Sequence, residues 1–278
     1  MDRSDKTVLV VGATGQQGGA ATKHLLADGW RVRGLTRNPD SPASQALAAR
    51  GVEMIAGDLL DRASLDRAVD GVYGVFSVQN TRTAGAENEL AEGKNIADAA
   101  LAAGVRHFVY DSAVADPRAA QPFMLTKGDI EAHIREIGLP ATIWRPMTFM
   151  ENYFRQRDQI LGGKLVWPLW PESMTFLIAV DDIGRFVALA FSDPERFIGT
   201  EMPIGGDAMP MTQVAETFSR VLGTPVEYVH VDELSGIPAP PRPVAGEPQY
   251  WRADIAACRA LLPGLRTLEE WIAESGWK

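Results

Sequence analysis

Gly12, Gly15 and Gly18 point most directly to chemistry, because they join an apolar strand to the start of a helix in TVLVVGATGQQGG, residues 7–19. The spacing is GxxGxxG rather than GxGxxG. It meets the same needs of a dinucleotide site: a tight turn, backbone close to a pyrophosphate, and close packing of helix on strand. A helix starting at Gln16 offers unpaired N–H groups and the positive end of its dipole to phosphate. The expected cradle is Gly12, Thr14, Gly15, Gln16, Gln17 and Gly18. An NAD-specific site usually carries Asp or Glu about 20 residues further on, to accept from the ribose hydroxyls. Here Thr36, Arg37 and Asn38 occupy that place. A guanidinium there pairs bidentately with a 2′-phosphate, which favours NADP(H) over NAD(H); the competing reading of Arg37 is a solvated surface side chain.

These residues need a frame that brings strand ends together. Six apolar runs, VLVV, RVRGLT, VEMIAG, VYGVFSV, RHFVYD and ATIWR, alternate with helical stretches. Gly29, Gly51, Gly71, Gly104 and Gly138 each stand between a helix and the next strand, where left-handed backbone ends a helix. Strands separated by helices imply an α/β, Rossmann-type doubly wound parallel sheet with ligands at the strand carboxyl ends. The expected division is a dinucleotide-binding domain over 1–150, to which 176–195 returns, and a smaller C-terminal α/β substrate lobe over 151–278. In that lobe the pattern reads as a helix near 149–161, a strand in TFLIAV and a helix opened by Asp181 and Asp182. Five prolines in SGIPAPPRPVAGEP make 235–248 a surface loop or wrapping arm, and Thr267 with Glu270 forms a capping box.

GATGQQGG after the first strand, TRNP after the second, GDLLD after the third, KGDIEAHIREIGLPATIWRP and MTFMENY follow one another in a specific order. In these motifs the chain resembles the NmrA-like group of atypical short-chain dehydrogenase/reductases, over about residues 6–190 and beyond that in general layout. The resemblance implies that Asp58 and Leu59 lie at the adenine, although Asp58 could instead cap the next helix, a task for which Asp61 is better placed. It implies that Ser77 to Asn80, with Gln79, run past the ribose and nicotinamide. Phe149, Glu151 and Asn152 are then expected at the nicotinamide end.

Typical short-chain dehydrogenases place a tyrosine four residues before a lysine, so that the ammonium lowers the phenol pKa for proton transfer. The matching pair here is Phe123 and Lys127, and Ser112 matches the usual serine position only loosely. The acid is missing. By resemblance Lys127 contacts the nicotinamide ribose or supplies the proton chemistry; the alternative is a surface pair with Glu131 at i+4. Met124, Tyr153, Trp167 and Trp170 could line a flat apolar pocket for a quinone-like acceptor, or be ordinary core.

The net charge of −9 gives no basic patch for nucleic acid. The single cysteine, Cys258, excludes an internal disulfide and reads as a buried small residue. MDRSDK lacks a signal-peptide core and no apolar run nears the ~20 residues of a membrane span, so a cytoplasmic protein is expected. His24, His107, His133 and His230 have no ligand spacing, and no metal is expected. Two function classes follow. The first is an NADPH-dependent reductase of a small apolar or aromatic acceptor. The second is a non-catalytic NADP(H) redox sensor acting through a regulatory protein partner, which the missing tyrosine favours; a homodimer is compatible with either. A sugar-nucleotide epimerase relative fits less well, because it too needs the tyrosine.

Overall fold

The computed structural model describes residues 3–114, 122–234, 236–242 and 252–277. The chain begins as β1 (Thr7–Val11), α1 (Gln16–Ala27), β2 (Arg31–Thr36), α2 (Pro42–Ala48), β3 (Glu53–Ala56), α3 (Arg62–Val69) and β4 (Gly74–Ser77). It continues as a single turn α4 (Thr81–Ala84), α5 (Ala86–Ala102), β5 (His107–Asp111), α6 (Pro122–Glu136) and β6 (Ala141–Pro146). There follow β7 (Thr148–Phe149), a 3-10 segment (Met150–Gln156), α7 (Arg157–Leu161), β8 (Lys164–Trp167), β9 (Met174–Ile178), α8 (Val180–Ser192), α9 (Pro194–Phe197) and β10 (Glu201–Ile204). The remainder is β11 (Asp207–Pro210), α10 (Met211–Leu222), β12 (Glu227–His230), β13 (Glu233–Leu234), β14 (Ile237–Pro238), α11 (Ile255–Leu261) and α12 (Leu268–Glu274).

Seven strands form one parallel sheet in the order β10-β6-β5-β4-β1-β2-β3. The chain runs outward from β1 to β3 on one side, then returns to β4 on the other. The order therefore reverses at β1, and the carboxyl ends of β1 and β4 flank the switch point where such sheets bind ligands. Val8 to Val11 are buried, as a central strand covered on both faces requires. One face carries a core of Leu9, Val75, Phe108, Tyr110, Ile96 and Ile130, which fixes α5 and α6 over β4 and β5. The five helix-ending glycines have φ between 68° and 90°, a region that side chains with a Cβ rarely enter.

The chain divides into two compact units. The first is built from Met1–Ala113, Pro122–Arg145 and Ile183–Met202, the second chiefly from Pro146–Asp182 and Pro203–Lys278. The returning segment is thus 183–202 rather than 176–195, because β9 pairs with β7 and β11 inside the second unit. The expected helix near 149–161 is a 3-10 segment followed by one and a half turns of α-helix. The second unit has its own core, in which Tyr153, Leu177, Phe218, Trp271 and Trp277 are buried. In the proline-rich stretch Leu234 and Ile237 pair as a two-residue antiparallel bridge, while Ser235 and residues 243–248 lie outside the described residues. The Thr267–Glu270 capping box is formed, Thr267 Oγ1 accepting from the Glu270 amide at 3.2 Å and Glu270 accepting from the Thr267 amide at 2.8 Å. Among the described residues no helix is long and apolar enough to cross a membrane.

Candidate functional site

The turn after β1 is built from backbone. Gly12 sits at φ 66°, and its carbonyl accepts from the Gly15 amide at 2.8 Å. A Cβ on Gly18 would stand 2.1 Å from the Gly12 oxygen, so only glycine lets α1 pack this tightly on the end of β1. A Cβ on Gly15 would meet the same oxygen at 3.2 Å. Gly12, Thr14, Gly15 and Gln16 are exposed, Gln17 is half-buried and Gly18 is buried. No side chain caps α1 at Gly15, so its first amides are left to a ligand or solvent. Cradle, spacing and open amides all fit a pyrophosphate.

At the next strand end Arg37 is exposed. Burial raises the Glu92 carboxyl above the usual range, Asp58 adds to the rise, and Arg37 opposes it, so the three share one electrostatic neighbourhood. Asp61 caps α3, accepting from the Ala63 amide at 3.1 Å. Asp58 does not cap the helix: its Oδ1 accepts from the Leu60 amide at 2.9 Å in a local turn. The Leu59 carbonyl accepts from Asn95 Nδ2 at 2.9 Å, and its side chain packs on the core.

Lys127 lies on α6, and its ammonium is held by two groups. Nζ donates to the Gln79 carbonyl at 3.0 Å and stands 3.2 Å from Glu89 Oε1. The Gln79 side chain turns inward, its Nε2 donating to Ser77 Oγ at 2.8 Å. Glu89 is fully buried, and its Oε2 accepts from the hydroxyls of Thr81 and Thr126. The alternative pairing with Glu131 does not form, because Glu131 binds Arg135 at 2.7 Å and Arg145 at 2.5 Å. Composition hid Glu89, since three glutamates in AENELAEGKN read as a solvated helix end. The periodicity did carry a signal: Glu89 is in register with Gly93, Ile96, Ala97 and Ala100, the buried stripe of α5.

The end of β5 holds three further buried polar side chains. Neither Asp111 oxygen has a hydrogen-bond partner within the described residues, and the Tyr110 hydroxyl interacts with Ser112. Burial pushes the Asp111 carboxyl well above its usual range, and the nearby Lys127 ammonium only partly offsets this. Burial likewise raises the Tyr110 phenol, Glu89 and Glu131 adding to the effect.

Apart from Met124, the remaining expected site residues belong to the second unit. Phe149 lies in β7 against Ile178 of β9, half-buried, and Asn152 is half-buried in the 3-10 segment. Glu151 is engaged within its own unit: its oxygens accept from the Val180 amide at 3.0 and 3.1 Å, and Oε1 from Trp271 Nε1 at 3.2 Å. That carboxylate caps α8 and secures Trp271 rather than standing free for a ligand. Tyr153 is 1% exposed, its ring between Trp167 and Phe218, so it is core rather than pocket wall. Trp170 is stacked on His230 at 4.1 Å, with the Arg242 guanidinium 5.0 Å from the ring, and its Nε1 donates to the Pro240 carbonyl at 2.9 Å. Its ring is already engaged, whereas Trp167 keeps a half-buried surface. The Phe123 and Met124 side chains lie outside the described residues. No group of three potential metal ligands occurs among the described residues.

Comparison with known proteins places these features. The NmrA-like family model matches residues 4–246. A (4-alkanoyl-5-oxo-2,5-dihydrofuran-3-yl)methyl phosphate reductase of Streptomyces griseus is 32% identical over 223 residues, covering 80% of this chain and 76% of that protein. The nitrogen metabolite repression protein nmrA of Emericella nidulans is 29% identical over 251 residues, covering 84% and 70%. The crystal structure of NmrA, a negative transcriptional regulator, in complex with NADP is 25% identical with a TM-score of 0.82, covering 98% of this chain and 95% of that one; the same protein has been solved with NAD. The chain therefore belongs to the NmrA-like family, with the Rossmann-type fold of its NAD(P)-binding members.

Proposed function

We propose that this chain is an NADPH-dependent reductase of small, apolar, quinone-like acceptors. The observation that carries the proposal is the state of Lys127. One of its three N–H donors is given to the Gln79 carbonyl and the ammonium stands 3.2 Å from Glu89 Oε1 as an ion pair, so it is held from two sides. An ammonium held in this way is suited to gripping a ribose hydroxyl and ill suited to passing a proton. Phe123 stands where the phenol acid of related reductases would be.

The choice of acceptor follows from that lack. Reducing a simple ketone leaves an alkoxide at least as basic as hydroxide, so an acid must act during the transfer. Reducing a quinone leaves a phenolate-like anion with a conjugate acid near ~10, which solvent can protonate afterwards. When bound, NADPH supplies the hydride. The protein's own residues then have three tasks. Gly12, Thr14, Gly15, Gln16, Gln17 and Gly18 hold the pyrophosphate. Arg37, with no acidic residue beside it at 36 or 38, pairs with the 2′-phosphate, and Asp58 with Leu59 lines the adenine end. Gln79 and Lys127 fix the nicotinamide ribose.

The test is a titration of purified protein with NADPH and NADH by fluorescence, followed by NADPH oxidation against a panel of quinones and aromatic carbonyls. NADPH binding with quinone-dependent oxidation supports the reading. NADPH binding with no turnover on any acceptor would favour the sensor class, with a regulatory partner taking the place of the substrate.

A further inference from the structure

Glu89 is a carboxylate with no exposed surface, and everything it touches converges on one place. It sits on the apolar stripe of α5, where an acidic side chain is costly to bury unless fully partnered. Its partners come from two further segments, Thr81 on α4 and both Thr126 and the Lys127 ammonium on α6, and that ammonium also binds the Gln79 carbonyl beyond the end of β4. Lys127 itself is little exposed, at 12% of its side chain, and lies 5.9 Å from the centre of the Tyr110 ring. A flexible ammonium would lose much rotamer freedom on binding a cofactor; one already seated between a carboxylate and a carbonyl loses little.

From this geometry we infer that Glu89 is the positioning residue of the site: as counter-charge it, with the Gln79 carbonyl, seats the Lys127 ammonium in advance for the dinucleotide. The inference rests on the proposed contact of Lys127 with the cofactor. Thr81 and Thr126 act one step further out, fixing the second carboxylate oxygen so that Oε1 faces the ammonium. The other ionisable groups around Lys127 do not replace Glu89. Burial raises both the Tyr110 phenol and the Asp111 carboxyl on β5, Glu131 on α6 is occupied by Arg135 and Arg145, and burial raises the Glu92 carboxyl on α5, Arg37 opposing the rise.

The experiment measures NADPH affinity of the full chain by fluorescence titration at pH 7 and pH 9, for wild type, E89Q, K127M, the double variant and T126V. E89Q preserves size and an acceptor for the threonines while removing the charge. It should weaken binding about tenfold at pH 7 and further at pH 9, because the buried ammonium has lost its counter-charge. Wild type should change less between the two pH values. T126V, which keeps the charge, should weaken binding a fewfold, and the E89Q and K127M losses should fail to add. Wild-type affinity in folded E89Q beside weakened K127M would overturn the role of Glu89 while leaving Lys127 at the cofactor. Unchanged affinity in K127M would instead remove Lys127 from the cofactor site, and the inference with it.

Discussion

His107 offers the sharpest quantitative test of how the site's frame is held, because it opens β5, the strand that ends in Tyr110, Asp111 and Ser112. Its ring is buried, packed edge-on against Phe191 at 5.1 Å. Thr142 fixes the tautomer. The threonine hydroxyl donates to the Phe197 carbonyl at 2.6 Å, so towards His107 Nε2, 2.8 Å away, it can only accept. Nε2 therefore carries the proton and Nδ1 does not. Nδ1 has no partner within the described residues, so a second proton would be buried unsatisfied. Burial accordingly lowers the His107 pKa from 6.5 to about 4. A depressed folded pKa contributes stability above the unfolded value, and that stability is lost as pH falls through the window from 6.5 to about 4. Between pH 7 and pH 4.5 the loss is about 2 kcal/mol. In H107Q the amide N–H keeps the bond to Thr142 but cannot take up a proton. Urea unfolding at the two pH values should therefore show wild type losing about 2 kcal/mol more than the variant. Equal losses would refute the neutral, Nε2-protonated assignment.

Further outcomes follow from the same structure. Arg37→Ala should weaken NADPH binding about tenfold or more and NADH binding little, since only NADPH carries the 2′-phosphate; isothermal titration with both cofactors checks this, and equal losses would remove the specificity claim. Gly15→Val places side-chain atoms at the mouth of the cradle and should abolish binding of both cofactors while circular dichroism shows a folded protein; unchanged affinity would sink the pyrophosphate assignment. Asp111 has a raised folded pKa, so its favourable contribution is present below the unfolded value near ~3.9 and declines as pH rises towards the folded one. Asp111→Asn should therefore raise the melting temperature at pH 8 relative to wild type and leave it unchanged or lower at pH 4; a loss at pH 8 would mean that the carboxylate has a partner.

The first unit was legible because each feature has a local cause: β-branched runs for buried strands, glycines where helices end, a glycine turn where α1 packs on β1. The turn after β1 could be placed residue by residue, since backbone geometry alone dictates Gly12 and Gly18. Contacts between residues distant in sequence were not legible. Glu89 and Lys127 are 38 positions apart and meet only because α5 and α6 cover the same face of the sheet. The i+4 rule suggested Glu131 for Lys127, but Arg145 holds Glu131 bidentately and Arg135 adds a further bond to it. The aromatic residues misled for a similar reason. Composition cannot distinguish a ring that faces a ligand from one that faces Phe218, as Tyr153 does, or one held by His230 and Arg242, as Trp170 is.

The central claim, a reductase that positions its cofactor but lacks a built-in acid, is tested most directly by the ratio of NADPH oxidation rates on 1,4-naphthoquinone and on cyclohexanone under identical conditions. The account predicts steady turnover of the quinone, none detectable on the saturated ketone, and loss of the quinone rate in K127M through weaker cofactor binding. Comparable turnover of the ketone would contradict it, because a proton would then be delivered during hydride transfer.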